Sequence, residues 1–256
     1  MEKISATIIT LNEEGRINDC LDSLEGIADE VVVVDSYSTD RTVEICKSRG
    51  CKVVQRHFKG YGIQRQFATS LTTHSYVITI DADELLSPAL RQSLMKVKEE
   101  GFKHRVYSFS RLNFYCGQPI RHCGWYPNYQ IRLFDKRYAN WDLHDVGERV
   151  IFSDTLNPEP LDGDLLHYRC NTPEEYRRTQ RRHSVIEAHI LVAKNKCTSP
   201  IKGFFKALSR FCDCYFGKKG ILDGPEGRAI SREHYYSTIL AYRVARQLKR
   251  EKKKNE

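Results

Sequence analysis

Apolar residues in the first hundred positions fall into short blocks that alternate between two periods. Residues 3–10, Val31 to Val34, Lys52-Val53-Val54 and Tyr76 to Ile80 are runs rich in β-branched residues, the pattern of strands buried on both faces. Between them apolar residues recur at helical spacing. Ile17, Leu21 and Leu24 follow Asn12-Glu13-Glu14, and Val43, Ile45 and Cys46 follow Ser38-Thr39-Asp40. Both polar groups are of the kind that caps a helix start. Gly60 and Gly62 precede a predicted helix of about 63–73, and Ser87-Pro88 opens another, with proline where its missing N–H costs nothing. Strands alternating with helices predict an α/β fold, a Rossmann-like, mostly parallel sheet covered on both faces, with ligands at the carboxyl ends of its strands. Three of those ends are Thr10, Asp35 and Asp81, so polar residues are expected to converge on one edge.

From residue 105 the pattern changes. Val106-Tyr107-Ser108-Phe109 alternates as a half-buried strand does, and Gln130 to Phe134 reads as another after the aromatic loop Trp125-Tyr126-Pro127. From about Thr172 the chain is helical and basic. The expected division is an α/β body over 1–168, with halves at about 1–105 and 106–168, and a basic helical region over 169–256.

Charge sharpens that division. The 256 residues carry a net +8, yet residues 1–168 hold 20 basic and 24 acidic side chains while residues 169–256 hold 21 and 9. A third with a net +12 attracts a polyanion: a phospholipid surface, a phosphorylated glycolipid or a nucleic acid. Phe204, Phe205, Leu208, Phe211, Cys212 and Tyr215 recur there at helical spacing, among Lys202, Lys206, Arg210, Lys218 and Lys219. Such a helix is expected either to pack its aromatic face on the body or to lie in a membrane interface. No run approaches the length of a spanning helix, and the start, Met1-Glu2-Lys3 then Ile4 to Leu11, is too quickly polar for a secretory signal. The nine cysteines, odd in number and without paired C-x-x-C sets, read as reduced thiols of a cytoplasm.

Chemistry concentrates at Asp81-Ala82-Asp83. On an extended segment the two carboxylates would share one side and repel unless a cation sat between them. Mg²⁺ or Mn²⁺, which prefer oxygen ligands and bridge to phosphate, suit that place. Asp35 could accept from a base N–H or a ribose hydroxyl, or cap the following helix. Arg65, beside Gln64, could meet a diphosphate, or lie on a solvated helix face.

These residues sit in blocks that resemble glycosyltransferase family two, the inverting GT-A enzymes. The blocks are Ala6 to Glu14, Val33 to Thr42, Gly60 to Ala68 and Asp81 to Glu84. The later segments Gly124 to Phe134, Trp141 with Val146-Gly147-Glu148, Gly163 to His167 and Gly220 to Gly227 are similar to the lipopolysaccharide core biosynthesis subgroup. The resemblance implies a GT-A fold with a donor half and an acceptor half in the body, and a cytoplasmic enzyme peripheral on the inner face of the cytoplasmic membrane. It implies a nucleotide-sugar donor, UDP-linked and for example UDP-glucose, held by Thr10, Leu11, Glu13, Asp35, Arg65, Asp81 and Ala82. Trp125, Tyr126 and Arg132 would meet a saccharide or glycolipid acceptor, the lipopolysaccharide inner core. Asp83 and His167 would hold a Mg²⁺ or Mn²⁺ cofactor. Within the matched block Glu148 is the base candidate, with Asp145, beside His144, as the alternative. Asn128 and Gly147 depart from the subgroup, which has Asp and His there.

Three other readings compete. A nucleotidyltransferase would carry a Gly-rich basic loop after the first strand, where this chain has the acidic Thr10-Leu11-Asn12-Glu13-Glu14. A nucleic-acid or other polyanion binder could use the basic third, but the chain lacks zinc fingers and aromatic-basic RNA motifs, so no nucleic-acid partner is expected. An inactive scaffold would keep the fold without the reaction, and the departures at Asn128 and Gly147 leave it open.

Overall fold

A computed structural model describes residues 2–143, 147–196 and 198–255. The chain forms two compact units, one of Met1–Arg111 with Asn128–His167, the other of Leu112–Pro127 with Tyr168–Glu256. The segment 112–127 thus groups with the helical C-terminal region rather than with the body.

The first unit begins as the alternation predicts: β1 (Ile4–Thr10), α1 (Ile17–Leu24), β2 (Glu30–Asp35), α2 (Thr42–Ser48), β3 (Lys52–Gln55), α3 (Tyr61–Ser70), β4 (Tyr76–Asp81), β5 (Glu84–Leu86) and α4 (Pro88–Glu100). β6 (Val106–Tyr115), β8 (Tyr129–Asp135), β9 (Ala139–Trp141), β10 (Val150–Phe152) and β11 (Glu159–Cys170) follow, with the two-residue β7 (Gln118–Pro119) lying in the second unit. The strand order is β3-β2-β1-β4-β8-β6-β11-β5. β3, β2, β1 and β4 are parallel, whereas β8 is antiparallel to both β4 and β6. The parallel strands are apolar runs because helices cover both faces: Ile4, Ala6, Ile8, Val33, Ile78 and Ile80 are buried with Ile17, Leu21 and Leu24 of α1. The register pairs Thr10 with Asp35 and Ile9 with Asp81, so the three polar strand ends do meet on one edge.

Two local expectations change. Ser87 caps α4 as foreseen, accepting from the Leu90 N–H at 3.2 Å. Asp40 Oδ1 accepts from the Thr42 N–H that opens α2 at 3.0 Å, but Asn12, Ser38 and Thr39 cap no helix. They join the β1–α1 loop to the β2–α2 loop instead. Asn12 Oδ1 accepts from the Thr39 N–H at 2.7 Å, and the Asn12 N–H donates to Ser38 Oγ at 2.8 Å. The Glu13 N–H donates to Thr42 Oγ1 at 2.8 Å, the Glu14 N–H to Asp40 Oδ2 at 3.1 Å, and the Arg41 N–H to Glu14 Oε2 at 2.9 Å. Short polar side chains reach backbone across the gap as readily as along the chain.

In the second unit α5 (Pro173–Ala193), α6 (Pro200–Cys212) and α7 (Gly224–Asn255) are joined by a π turn (Asp213–Gly217) and a 3₁₀ turn (Gly220–Asp223). Tyr115, Ile120, Cys123, Cys170, Tyr176, Cys214 and Ile230 form its core, and the Asp223 carboxylate ties down the loop at His122 through Nδ1 at 2.8 Å. The large apolar residues of α6 are not its buried ones. Phe204, Phe205 and Leu208 are exposed, and the helix is seated through Gly203 and Ala207. Among the described residues no helix is long and apolar enough to cross a membrane, and the eight described cysteines are free thiols.

Gly163 of β11 fixes the approach of α4. Its φ is +99°, and a Cβ there would lie 2.2 Å from the Leu90 nitrogen. Backbone strain and backbone collision add, so Gly163→Ala is expected to lower stability by about 2–4 kcal/mol in a urea titration, with an unchanged m-value.

Candidate active site

Asp81, at the end of β4, is the hub of the convergent edge. Its Oδ1 accepts from Arg65 Nη2 at 2.6 Å, and its Oδ2 lies 3.4 Å from Arg132 Nη2. Arg65 comes from the buried face of α3, Arg132 from β8 alongside β4. Arg65 also reaches Glu148 Oε1 through Nε at 3.2 Å, and its guanidinium sits 5.0 Å from the Trp141 ring centroid. Arg132 Nη2 binds Glu84 Oε1 at 3.0 Å, where Arg111 Nη1 also arrives at 3.3 Å. The second oxygen of Glu84 accepts from the Asp81 N–H at 2.9 Å. Glu148, Arg65, Asp81, Arg132, Glu84 and Arg111 therefore form one continuous chain of alternating charge. Burial would raise the Asp81 carboxyl, but the fields of Arg65, Arg132 and His167 and the Arg65 hydrogen bond outweigh it. They hold the group well below the usual carboxylate range.

Three buried donors in this chain, Arg65 Nη1, Arg111 Nε and Arg132 Nε, have no hydrogen-bond partner among the described residues. A buried guanidinium N–H is seldom left so, which makes Arg65 Nη1 a donor available to an anionic ligand.

Asp83 goes elsewhere. Ala82 and Asp83 form a tight turn between β4 and β5, not the extended segment that the sequence suggested. The two carboxylates are thereby separated: Asp81 faces the arginines, while Asp83 Oδ2 lies 3.3 Å from His167 Nε2 on β11. Ala82 is buried in the turn. The Glu13 carboxyl is raised to about 7, first by burial and then by the neighbouring charge of Asp83, with Asp40 and Asp81 adding and Arg16 opposing.

The other expected residues divide. Thr10 is buried and its hydroxyl has no partner among the described residues, while Leu11 is exposed beside it. Asp35 is fully buried and engaged by protein donors: the Ser38 N–H at 2.9 Å, the Ser38 hydroxyl, and Gln55 Nε2 at 3.0 Å. Its carboxylate holds the turn after β2. Arg132, expected to meet the acceptor, is buried between Asp81 and Glu84. Trp125 and Tyr126 belong to the second unit. There Trp125 packs against Tyr176 with Arg169 5.1 Å from its ring, and Arg121 lies 5.3 Å from the Tyr126 ring. Asp145, with His144, lies outside the described residues. The sequence does not single out Arg111, and Glu84 and Trp141 enter only as members of matched blocks, with no role at the site. Glu84 reads as one more acid of a solvated motif, and the only hint of its burial is the short apolar pair Leu85-Leu86 behind it.

A family model described as Glycosyl transferase family 2 matches residues 5–153, more than half of the chain. An uncharacterized glycosyltransferase of Rickettsia conorii is 50% identical over 248 residues, covering 87% of this chain and 84% of that one. The lipopolysaccharide core biosynthesis glycosyltransferase LpsC of Rhizobium meliloti is 28% identical over 218 residues, covering 83% and 80%. Among solved structures, glucosyl-3-phosphoglycerate synthase from Mycobacterium tuberculosis, crystallised with Mn²⁺, uridine diphosphate and phosphoglyceric acid, is 26% identical with a TM-score of 0.36 over 44% of this chain and 43% of that one. The chain belongs to glycosyltransferase family 2.

Two consequences can be measured. Glu84→Gln leaves Arg132 and Arg111 facing a neutral amide, so stability is expected to fall by about 3 kcal/mol in urea. Glu13 carries the opposite dependence on pH from an ion-paired acid. Folded Glu13 binds its proton at about 7 against an ordinary 4.5, so the folded chain holds more protons than the unfolded one between those values. Its contribution is complete below pH 4.5 and is lost as the pH rises through 7. Glu13→Gln is therefore expected to gain on wild type by about 1–3 kcal/mol between pH 5 and 8, read from paired thermal melts.

Proposed function

We propose that this chain is an inverting glycosyltransferase that moves a sugar from a UDP-sugar, UDP-glucose or a close relative, to a saccharide of the lipopolysaccharide inner core at the cytoplasmic face of the membrane. The observation that carries the reading is Arg65. One buried guanidinium joins the Asp81 strand end to Glu148 and keeps Nη1 unpartnered. The similarity to LpsC, named for lipopolysaccharide core biosynthesis, supports the acceptor class.

The positions support a division of labour. The nucleotide lies against the strand ends at Thr10, Leu11 and Glu13, over the turn that Asp35 holds, and the diphosphate oxygens meet Arg65 Nη1. Glu148 takes the proton from the acceptor hydroxyl as that oxygen bonds to the anomeric carbon. The bond to the diphosphate oxygen breaks on the opposite side, which inverts the centre and gives a β-linkage. Arg65 orients Glu148 for that transfer, so donor and base are set by one side chain.

A divalent cation fits the donor set. The edge gathers five carboxylates, Glu13, Asp81, Asp83, Glu84 and Glu148, against the guanidiniums of Arg65, Arg111 and Arg132. Among the described residues no three His, Cys, Asp or Glu side chains close a metal site. Asp83 and His167 would hold Mg²⁺ or Mn²⁺ with diphosphate and water oxygens completing the shell. Charge neutralisation on the departing diphosphate is what such a cation supplies.

The test is calorimetry with a nucleotide-sugar panel, with Mn²⁺ and with chelator, on wild type, Asp83→Asn and Glu148→Gln. One UDP-sugar is expected to bind wild type with metal, and Asp83→Asn is expected to lose that binding. Glu148→Gln should keep donor binding while kcat on the acceptor falls by about 10²–10⁴-fold. Binding of no nucleotide sugar under either condition would end the transferase reading and favour a scaffold or polyanion-binding role.

A further inference from the structure

α6 reverses the usual burial of an amphipathic helix. Its smallest residues face the fold: a Cβ on Gly203 would meet the Tyr242 side chain of α7 at 3.0 Å, and Ala207 is fully buried. Its largest residues face out. Ile201, Phe204, Phe205 and Leu208 share one face by their spacing and are 71%, 46%, 63% and 41% exposed. Downstream, the π turn adds exposed Phe216 and the 3₁₀ turn adds exposed Ile221 and Leu222. Phe204 also lies 5.6 Å from the Phe205 ring and 6.4 Å from Tyr235 of α7, so the aromatic surface extends onto the next helix. Folded chains rarely leave apolar faces of this kind to water without a partner.

The charge around that face selects the partner. Pro200–Cys212 contains no acidic residue, and exposed Lys202 and Lys206 alternate with its apolar positions. In the exposed turn that follows, Lys218 pairs with Asp213 at 2.9 Å and Lys219 adds a further exposed ammonium. Interfaces between protein chains are depleted in lysine, whereas an anionic bilayer draws lysine ammoniums to its phosphates while apolar side chains enter the acyl boundary. We propose that the α6 face docks this chain on an anionic phospholipid bilayer, with Ile201, Phe204, Phe205 and Leu208 inserted and Lys202 and Lys206 at the headgroups. The inference rests on the glycolipid-acceptor reading only for its purpose, since docking would bring the enzyme to the surface that holds the acceptor.

The experiment is flotation of the full chain with vesicles of phosphatidylcholine alone or with phosphatidylglycerol. Wild type is expected to bind the anionic vesicles at least tenfold more tightly than the neutral ones. Phe204→Ser with Phe205→Ser should weaken anionic binding at least tenfold, and Lys202→Glu with Lys206→Glu should remove the preference for phosphatidylglycerol. Because all four positions are exposed, the variants should keep the wild-type melting temperature and full turnover on a lipid-free saccharide acceptor. Vesicle binding by wild type, lost in the phenylalanine variant, upholds the surface even if sugar transfer fails on every acceptor. Equal vesicle binding by wild type and the phenylalanine variant, or none by wild type, overturns it. So does a dimer in sedimentation that dissociates in the phenylalanine variant while vesicle binding is absent, because the face would then belong to a second copy.

Discussion

Burying a guanidinium is costly unless anions and hydrogen-bond acceptors surround it, and the first unit buries two beside the end of β4. Neither Arg65 nor Arg132 finds its partners on its own element. Arg65 on α3 depends on Asp81 from β4 and on Glu148 between β9 and β10. Arg132 on β8 depends on Asp81 and on Glu84 at the start of β5. The helix, the parallel edge, the antiparallel addition and the turn at Ala82 must all be in place before either charge is satisfied. A network with that requirement is satisfied by few arrangements of the chain, which makes it a source of specificity for this packing. It also couples architecture to chemistry, since the residues that need one another for burial are the ones the proposed reaction uses.

The parallel half of the fold is legible because burial on both faces leaves a simple trace. β-branched runs at Ile4–Thr10, Glu30–Asp35 and Tyr76–Asp81 admit few alternatives, and their polar last residues mark the edge. β5 and β11 are not legible in the same way. β5 has only three residues, and Asp162-Gly163-Asp164 interrupts the apolar pattern of β11. The fate of single carboxylates is hidden for a different reason. Asp81, Asp83 and Glu84 are adjacent in sequence, yet a turn sends them to arginines, to a histidine and to a buried strand position respectively. Hydropathy patterns report which face is covered and carry no information on which cation comes from a distant element. The polar groups at Asn12 and Ser38–Asp40 divide on the same ground: residue type identifies groups that bind backbone N–H, and tertiary structure decides whose, so Asp40 serves α2 as well as the neighbouring loop while Asn12 and Ser38 serve only the loops.

α6 shows the limit from the other side. The helical spacing of Phe204, Phe205 and Leu208 is plain in the sequence, and so is the basic surround. What the spacing leaves undecided is whether the large face or the small one meets the fold. Gly203 answers it, because Tyr242 of α7 approaches so closely that a Cβ on that side would lie 3.0 Å from its side chain. The apolar stripe is then left over for something outside the chain.

The reciprocal hydrogen bonds between the β1–α1 and β2–α2 loops reach beyond local order. Each loop uses the other's backbone as its template, through Asn12, Ser38, Asp40 and Thr42. The two segments are therefore heritable as a pair: a substitution that reshapes one is read at once by the other. Swapping these loops between relatives would then succeed when both travel together and fail when either moves alone, so the two stretches form one unit of variation although α1 and β2 separate them in sequence.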